Sequence, residues 1–201
     1  MPTNKKFGGF QPQTYGGPGG TVTYVRRQVT SNNSNAISNR DVVDFDTNGN
    51  VLGFATSGTR TTAVASVAMG FSYVDANGVR VGSKNLPAAT TYSGSGIFPD
   101  DAIYASVVEN VAGVKFRCSI DTVLTRAALG ANVSINLAAG VNGYSQQDVN
   151  AASVATTATL PLRLNDFVVA GDVDIASATH QHAIVVINAA VLEPALTTTG
   201  I

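Results

Sequence analysis

From Thr21 onward the chain runs in short alternations of apolar and polar residues, broken by turn-forming residues. The stretch "TVTYVRRQV" alternates and is rich in β-branched and aromatic residues, the signature of a half-buried strand. "DVVDFDTNGNVLGF" predicts a hairpin, with Asn48-Gly49 supplying the positive φ angles of a tight type I′ turn. "MGFSYVDANGVRVG" repeats the device at Asn77-Gly78, and the Thr and Val of "TTAVASVAMG" favour a strand over a small-residue helix. Further strands are expected in "AIYASVV", "GVKFRCSID", "ANVSINLA", "ATLPLRLNDFVV" and "HAIVVINAAVL". Strands at intervals of about ten residues with polar turns indicate an antiparallel β-sandwich or barrel. Only "DTVLTRAALG" reads as helical, with Asp121 as N-cap and Gly130 as stop. The expected fold is therefore mainly β with little helix. A body over 21–192, as one domain or two intertwined lobes, is followed by an irregular tail over 193–201.

Residues 1–20 follow a different pattern. The glycines and prolines of "FGGFQPQTYGGPGG" forbid helix or regular strand, yet Phe7, Phe10 and Tyr15 recur through them. Glycine permits tight curvature and each aromatic can anchor in a pocket. The segment is expected to be an extended arm that orders against a partner surface. On that reading, deleting residues 1–20 weakens partner binding and leaves the body folded.

Composition narrows the function classes. Charged residues make up 12% of the chain and the formal net charge is −1, which leaves no electrostatic footprint for nucleic acid. A polar but uncharged surface suits a protein packed into an assembly, although a neutral extracellular domain would also fit. The single cysteine, Cys118, excludes an internal disulfide and lies in the alternating run "VKFRCSI", as a buried thiol would. "MPTNKKFGGFQPQ" lacks the apolar core of a signal peptide, and "AIVVINAAVL" is too short to span a bilayer. No membrane partner is expected, and the protein should be soluble in the cytoplasm where it is made.

Four constellations could carry chemistry. Asp44, Asp46, Asn48 and Gly49 match the opening of a calcium loop, but its twelfth position needs a bidentate Glu and holds Ala55. Asp172 and Asp174 share one side of an extended segment, without the companions of an acid/base site. Ser95 lies between glycines in "YSGSGIF", without the five-residue nucleophile-elbow pattern. His180 and His182 in "THQHAIVVIN" are two apart, so on a strand they share the face of Ile184, Val186 and Asn188. A metal would need further ligands, which only a symmetry axis beside the histidines would supply. "AIVVIN" reads as a core strand buried on both faces, with the histidines at its polar entry. No catalytic residue and no cofactor is expected.

An ordered series of segments does carry a resemblance. "AMGFSYVDANG", "IFPDDAIYASVVEN", "ALGANVSINLAAGVNGYSQQDV", "ATTATLPLRLNDFVV" and "HAIVVIN" together resemble the tailed-bacteriophage capsid decoration, or cement, proteins. The shared features are the strand entry at Gly70-Phe71, the segment Ala127 to Asn132, the Thr-rich lead into Leu160 to Leu164, and the close Val185 to Asn188. The resemblance spans about Phe45 to Asn188. The Gly-aromatic arm and the extension after Asn188 depart from it. It implies architecture and role: a virion protein on the outer capsid surface, made in the host bacterial cytoplasm, bridging neighbouring major capsid subunits. Its implied partners are the major capsid protein and copies of itself, a homotrimer before a dimer, because threefold positions recur in an icosahedral lattice. Phe7, Phe10, Tyr15, Tyr24, Arg26 and Arg27 are the candidate contact residues, with strand addition as a mode for "GGTVTYVRR". The alternative is a receptor- or glycan-binding fibre module.

Overall fold

The computed structural model describes residues 8–13, 21–30, 33–74, 77–88, 103–109, 111–168 and 181–188. The first nine strands are β1 (Gln11–Pro12), β2 (Tyr24–Gln28), β3 (Ile37–Ser38), β4 (Val42–Phe45), β5 (Val51–Gly53), β6 (Thr59–Arg60), β7 (Ser66–Val74), β8 (Arg80–Ser83) and β9 (Asn85–Leu86). The remaining six are β10 (Tyr104–Val108), β11 (Lys115–Ile120), β12 (Asn132–Asn136), β13 (Asp148–Ala155), β14 (Leu162–Phe167) and β15 (Gln181–Ile187). Helix among the described residues is confined to 3-10 turns at Val111–Gly113 and Arg126–Ala128. None is long and apolar enough to cross a membrane.

The strands divide into two units and the buried side chains into two clusters, the barrel-side one also taking in Val42, Val67 and Val108 from β4, β7 and β10. In the C-terminal unit β11, β13, β12, β14 and β15 hydrogen-bond in that order, and β15 returns to β11 from Lys115↔Val186 to Ile120↔Gln181, closing a five-stranded barrel. Its pairings are antiparallel except at β11–β13, which run parallel and meet at Ile120↔Val149. The period-2 alternation of each strand sends one row inward. Phe116, Cys118, Ile120, Val133, Ile135, Val149, Leu162, Leu164, Ala183, Val185 and Ile187 fill the interior.

The other unit is an open sheet in the order β2-β10-β7-β4-β5, with β8 beside the second half of β7. Its core gathers Val29, Ile37, Val43, Val51, Phe71, Leu86, Ile103 and Val107. Gly70 lies inside β7, where the register against β10 shifts, so it marks a bulge and not a strand entry. The two units are joined at Asn39–Asp41. Asn39 N–H is shared by Lys84 O and Gly143 O, Ser145 N–H donates to Asn39 O, and Val42 N–H donates to Gln147 Oε1. A second tie runs from Arg60 Nη2 to Asp44 Oδ2 at 3.1 Å.

Several local expectations change. The Asn48-Gly49 turn is not type I′, because Gly49 has φ +78° while Asn48 keeps a negative φ. Gly49 N–H donates to Asp46 O and Asp46 N–H to Asn50 O, the pattern of a type I turn followed by a left-handed bulge residue. Asp46 Oδ1 accepts the N–H groups of Asn48 and Asn50, while Oδ2 accepts Thr30 and Asn50 side chains. Asp46 therefore serves the turn, while Asp44 is engaged by Arg60. "DTVLTRAALG" holds only one 3-10 turn. Asp121 does not cap it: its carboxylate accepts Ala151 N–H and Asn136 Nδ2 instead. The buried Gln181 amide also pins the segment, accepting from Leu124 N–H and donating to Leu124 O. On β15, Ala183, Val185 and Ile187 face the barrel interior. Ile184 and Val186 on the other face are only half-buried, so the strand is not covered equally on both sides.

Residues 8–13 are part of the body. Phe10 is fully buried in the barrel-side core, and β1 pairs with β11 at Gln11↔Arg117 and Pro12↔Phe116. Gly9 makes the approach possible: its φ is +69°, and a Cβ there would lie 2.4 Å from Ser145 Cβ. The expectation of Phe10 as a partner anchor is corrected accordingly, because its pocket belongs to its own chain. Removing residues 1–20 would also remove a core side chain. Phe7 and Tyr15 lie outside the described residues.

Candidate functional site

β2 is the sheet's outer strand. It pairs with β10 on one side, from Tyr24↔Val108 to Gln28↔Tyr104; on the other side, among the described strands, β5 meets only the end of the run, through the parallel bridge Val29↔Val51. The phase of its hydrogen bonds follows from its ends. Glu109 N–H donates to Thr23 O and Val29 N–H to Ile103 O, so odd-numbered residues bond to β10. The antiparallel ladder alternates, so the N–H and C=O groups of Tyr24 and Arg26 aim away from the sheet. The edge closes at its C-terminal end, where Thr30 N–H donates to Val51 O.

The side chains of β2 are ordered by rings on the neighbouring strands. The Arg26 guanidinium lies 3.8 Å from the Tyr104 ring centroid on one face. Arg27, on the opposite face, stands 4.7 Å from the Phe45 ring centroid. Such stacking holds a guanidinium at its flat face and leaves the N–H groups in its plane to bond outward. Tyr24 is 49% exposed, and Arg26, Arg27 and Gln28 are exposed. Beside Arg26 and Tyr104 lies a shallow cavity of about 330 Å³, lined also by Gly70, Phe71, Ser72, Ser83 and Ser106. Three candidate contact residues, Tyr24, Arg26 and Arg27, are thus brought together on one edge. Tyr104 and Phe45 were not singled out from sequence, since their role depends on strand pairing across many residues.

The other candidates lead elsewhere. His182 is buried on the outer face of β15, with Arg117 Nη2 at 2.9 Å from its Nδ1. Arginine can only donate, so Nδ1 accepts and the ring proton sits on Nε2. A cation already occupies the Nδ1 lone pair and Nε2 carries the proton, so in this arrangement neither ring nitrogen offers a lone pair to a metal. Among the described residues no three His, Cys, Asp or Glu side chains cluster as ligands. His180, Ser95, Asp172 and Asp174 lie outside the described residues.

Cys118 is fully buried in the barrel, and burial, followed by the charge of Asp148, pushes its thiol far up. A neutral, enclosed thiol is a poor nucleophile. Asp41, at the junction of the units, is pushed up to about 6 by burial, against the pull of the Ser145 side chain and the Ser38 N–H. Tyr144 is half-buried on the same junction, and its hydroxyl is lowered by the hydrogen bond and charge of Lys84, whose Nζ lies 2.7 Å away.

Comparison with known protein families, known proteins and solved structures finds no match for this chain.

Proposed function

We propose that the chain is a structural virion protein of the decoration or cement class. It binds the outer surface of a capsid and bridges major capsid subunits, with copies of itself in a closed trimer. The observation that carries this reading is the edge of β2: two seated arginines and an exposed tyrosine beside outward-pointing backbone groups. An edge of this kind suits strand-wise contact with another protein. The ordered resemblance from Phe45 to Asn188 and the low charge of the chain support the same role. The task it implies is mechanical. Modest contacts repeated over several subunits hold a shell together, because linked contacts raise effective concentration.

Quantitative mass spectrometry of purified virions tests the role. The expected result is a fixed small-integer ratio of this chain to the major capsid protein. A count of only a few copies per particle would favour the fibre module, with the cavity beside Tyr104 as the place to look for a glycan. Absence from the particle would reject both.

A further inference from the structure

We propose that the outer edge of β2 receives an extended partner segment carrying two consecutive carboxylates. The inference rests on the assembly role above and names the chemistry of the segment that docks there.

The backbone sets the mode. Tyr24 and Arg26 direct their N–H and C=O groups outward, so an antiparallel strand placed there would exchange both bonds with the residue opposite Arg26. The side chains set the sequence. Arg26 and Arg27 are consecutive and point to opposite faces, so the residues opposite them on an added strand are consecutive too. Each guanidinium is seated on a ring, Tyr104 on one face and Phe45 on the other, and neither forms an ion pair with a carboxylate among the described residues. A seated guanidinium offers its planar fork to a carboxylate with little further ordering. Tyr24, two positions from Arg26, adds an exposed aromatic surface for an apolar residue of the same segment.

Charged residues on an edge strand commonly discourage pairing. That task needs only a solvated charge, whereas here both charges are held by aromatic stacking and neither is paired with a carboxylate among the described residues. The same charges select against a second copy. Antiparallel self-pairing centred on Arg26 would set arginine opposite arginine, and like charges directly opposed are destabilising.

The test uses the purified full chain and a blocked peptide, Thr-Val-Glu-Asp-Val-Thr, followed by backbone amide NMR. Controls replace its acidic pair with Lys-Lys or N-methylate its Glu or its Asp, one at a time. Shifts at Tyr24 and Arg26 are expected with the acidic peptide, with affinity about tenfold above the lysine peptide, the scale of one charge-assisted hydrogen bond. At least one of the N-methylated peptides should lose binding, because strand addition needs that residue's N–H. Arg26→Gln with Arg27→Gln should abolish the preference while the chain still unfolds cooperatively, with at most the small loss of two exposed cation–π contacts. Equal binding of acidic and lysine peptides, binding that survives both methylations, no binding at millimolar peptide, or a dimer dissolved by the arginine variants would each overturn the proposal. Virion stoichiometry is measured separately, so the assembly role can stand where this docking edge fails.

Discussion

The barrel and the open sheet have similar strand numbers but treat their edges in opposite ways. In the barrel β15 returns to β11, so all five strands of the ring have neighbours on both sides. In the sheet β2 ends the row with the backbone of Tyr24 and Arg26 facing outward. Closure removes the surfaces on which other chains could pair. The barrel is therefore suited to stability and the sheet to contact. The contrast extends to chemistry. The barrel encloses its one thiol, Cys118, whereas the sheet places Arg26 and Arg27 in solvent.

The largest expected effect breaks the barrel side. Phe10 comes from a short segment with little secondary structure but contributes a fully buried ring to the barrel core. Phe10→Ala should cost about 3–5 kcal/mol, the usual scale for a buried phenylalanine. That is a large part of the stability of a typical domain. Urea unfolding measures it, and labelling of Cys118 by a thiol reagent should accelerate in parallel. A loss below about 1 kcal/mol would mean that the core closes without residues 8–13, and the boundary at residue 20 would stand after all.

A middle-sized effect probes the junction between the two units. Asp41 has a folded pKa of about 6 against an ordinary value of 3.8. Between these values the folded chain holds more protons at Asp41 than the unfolded one, so the contribution of this group to stability is greatest below pH 4 and is lost as pH rises through 6. The loss amounts to about 3 kcal/mol by pH 8. Asp41→Asn retains an oxygen to accept the Ser38 N–H and removes the charge. Urea midpoints at pH 4, 6 and 8 should decline for the parent and change less for the variant. Parallel curves would place the pH dependence elsewhere.

Much of this division was legible in the sequence, and its limits have physical causes. The all-β class and most strands followed from period-2 alternation, which each strand carries in its own residues. β13 was not distinguished because Asn150, Ala152 and Ser153 dilute its apolar row; only Val149 and Ala151 face strongly inward. The false helix at 121–130 failed because Asp121 and Gln181 bond across the barrel, and such distant partners leave no local mark. The edge proposed for contact was half legible. Tyr24, Arg26 and Arg27 stood out as an exposed run, but the rings that seat the arginines lie 78 and 18 residues away. Only the pairing of β2 with β10, and the packing of β4 nearby, brings them together.

The smallest effect sharpens the sheet side of the comparison. Gly49 turns β4 into β5 with φ +78°, a conformation that costs an alanine about 1 kcal/mol. Space is not the obstacle, since a Cβ there would meet only Arg27 Nη1, at an ordinary 3.5 Å. Gly49→Ala should therefore lower stability by about 1 kcal/mol through backbone strain alone. Gly9→Ala, with a similar φ, should cost clearly more, because its Cβ would overlap Ser145 Cβ at 2.4 Å. Urea midpoints of the two variants, measured side by side, separate strain from packing. Equal losses would mean that Ser145 and the segment around Gly9 yield freely, and the barrel side would be no more tightly fitted than the sheet hairpin.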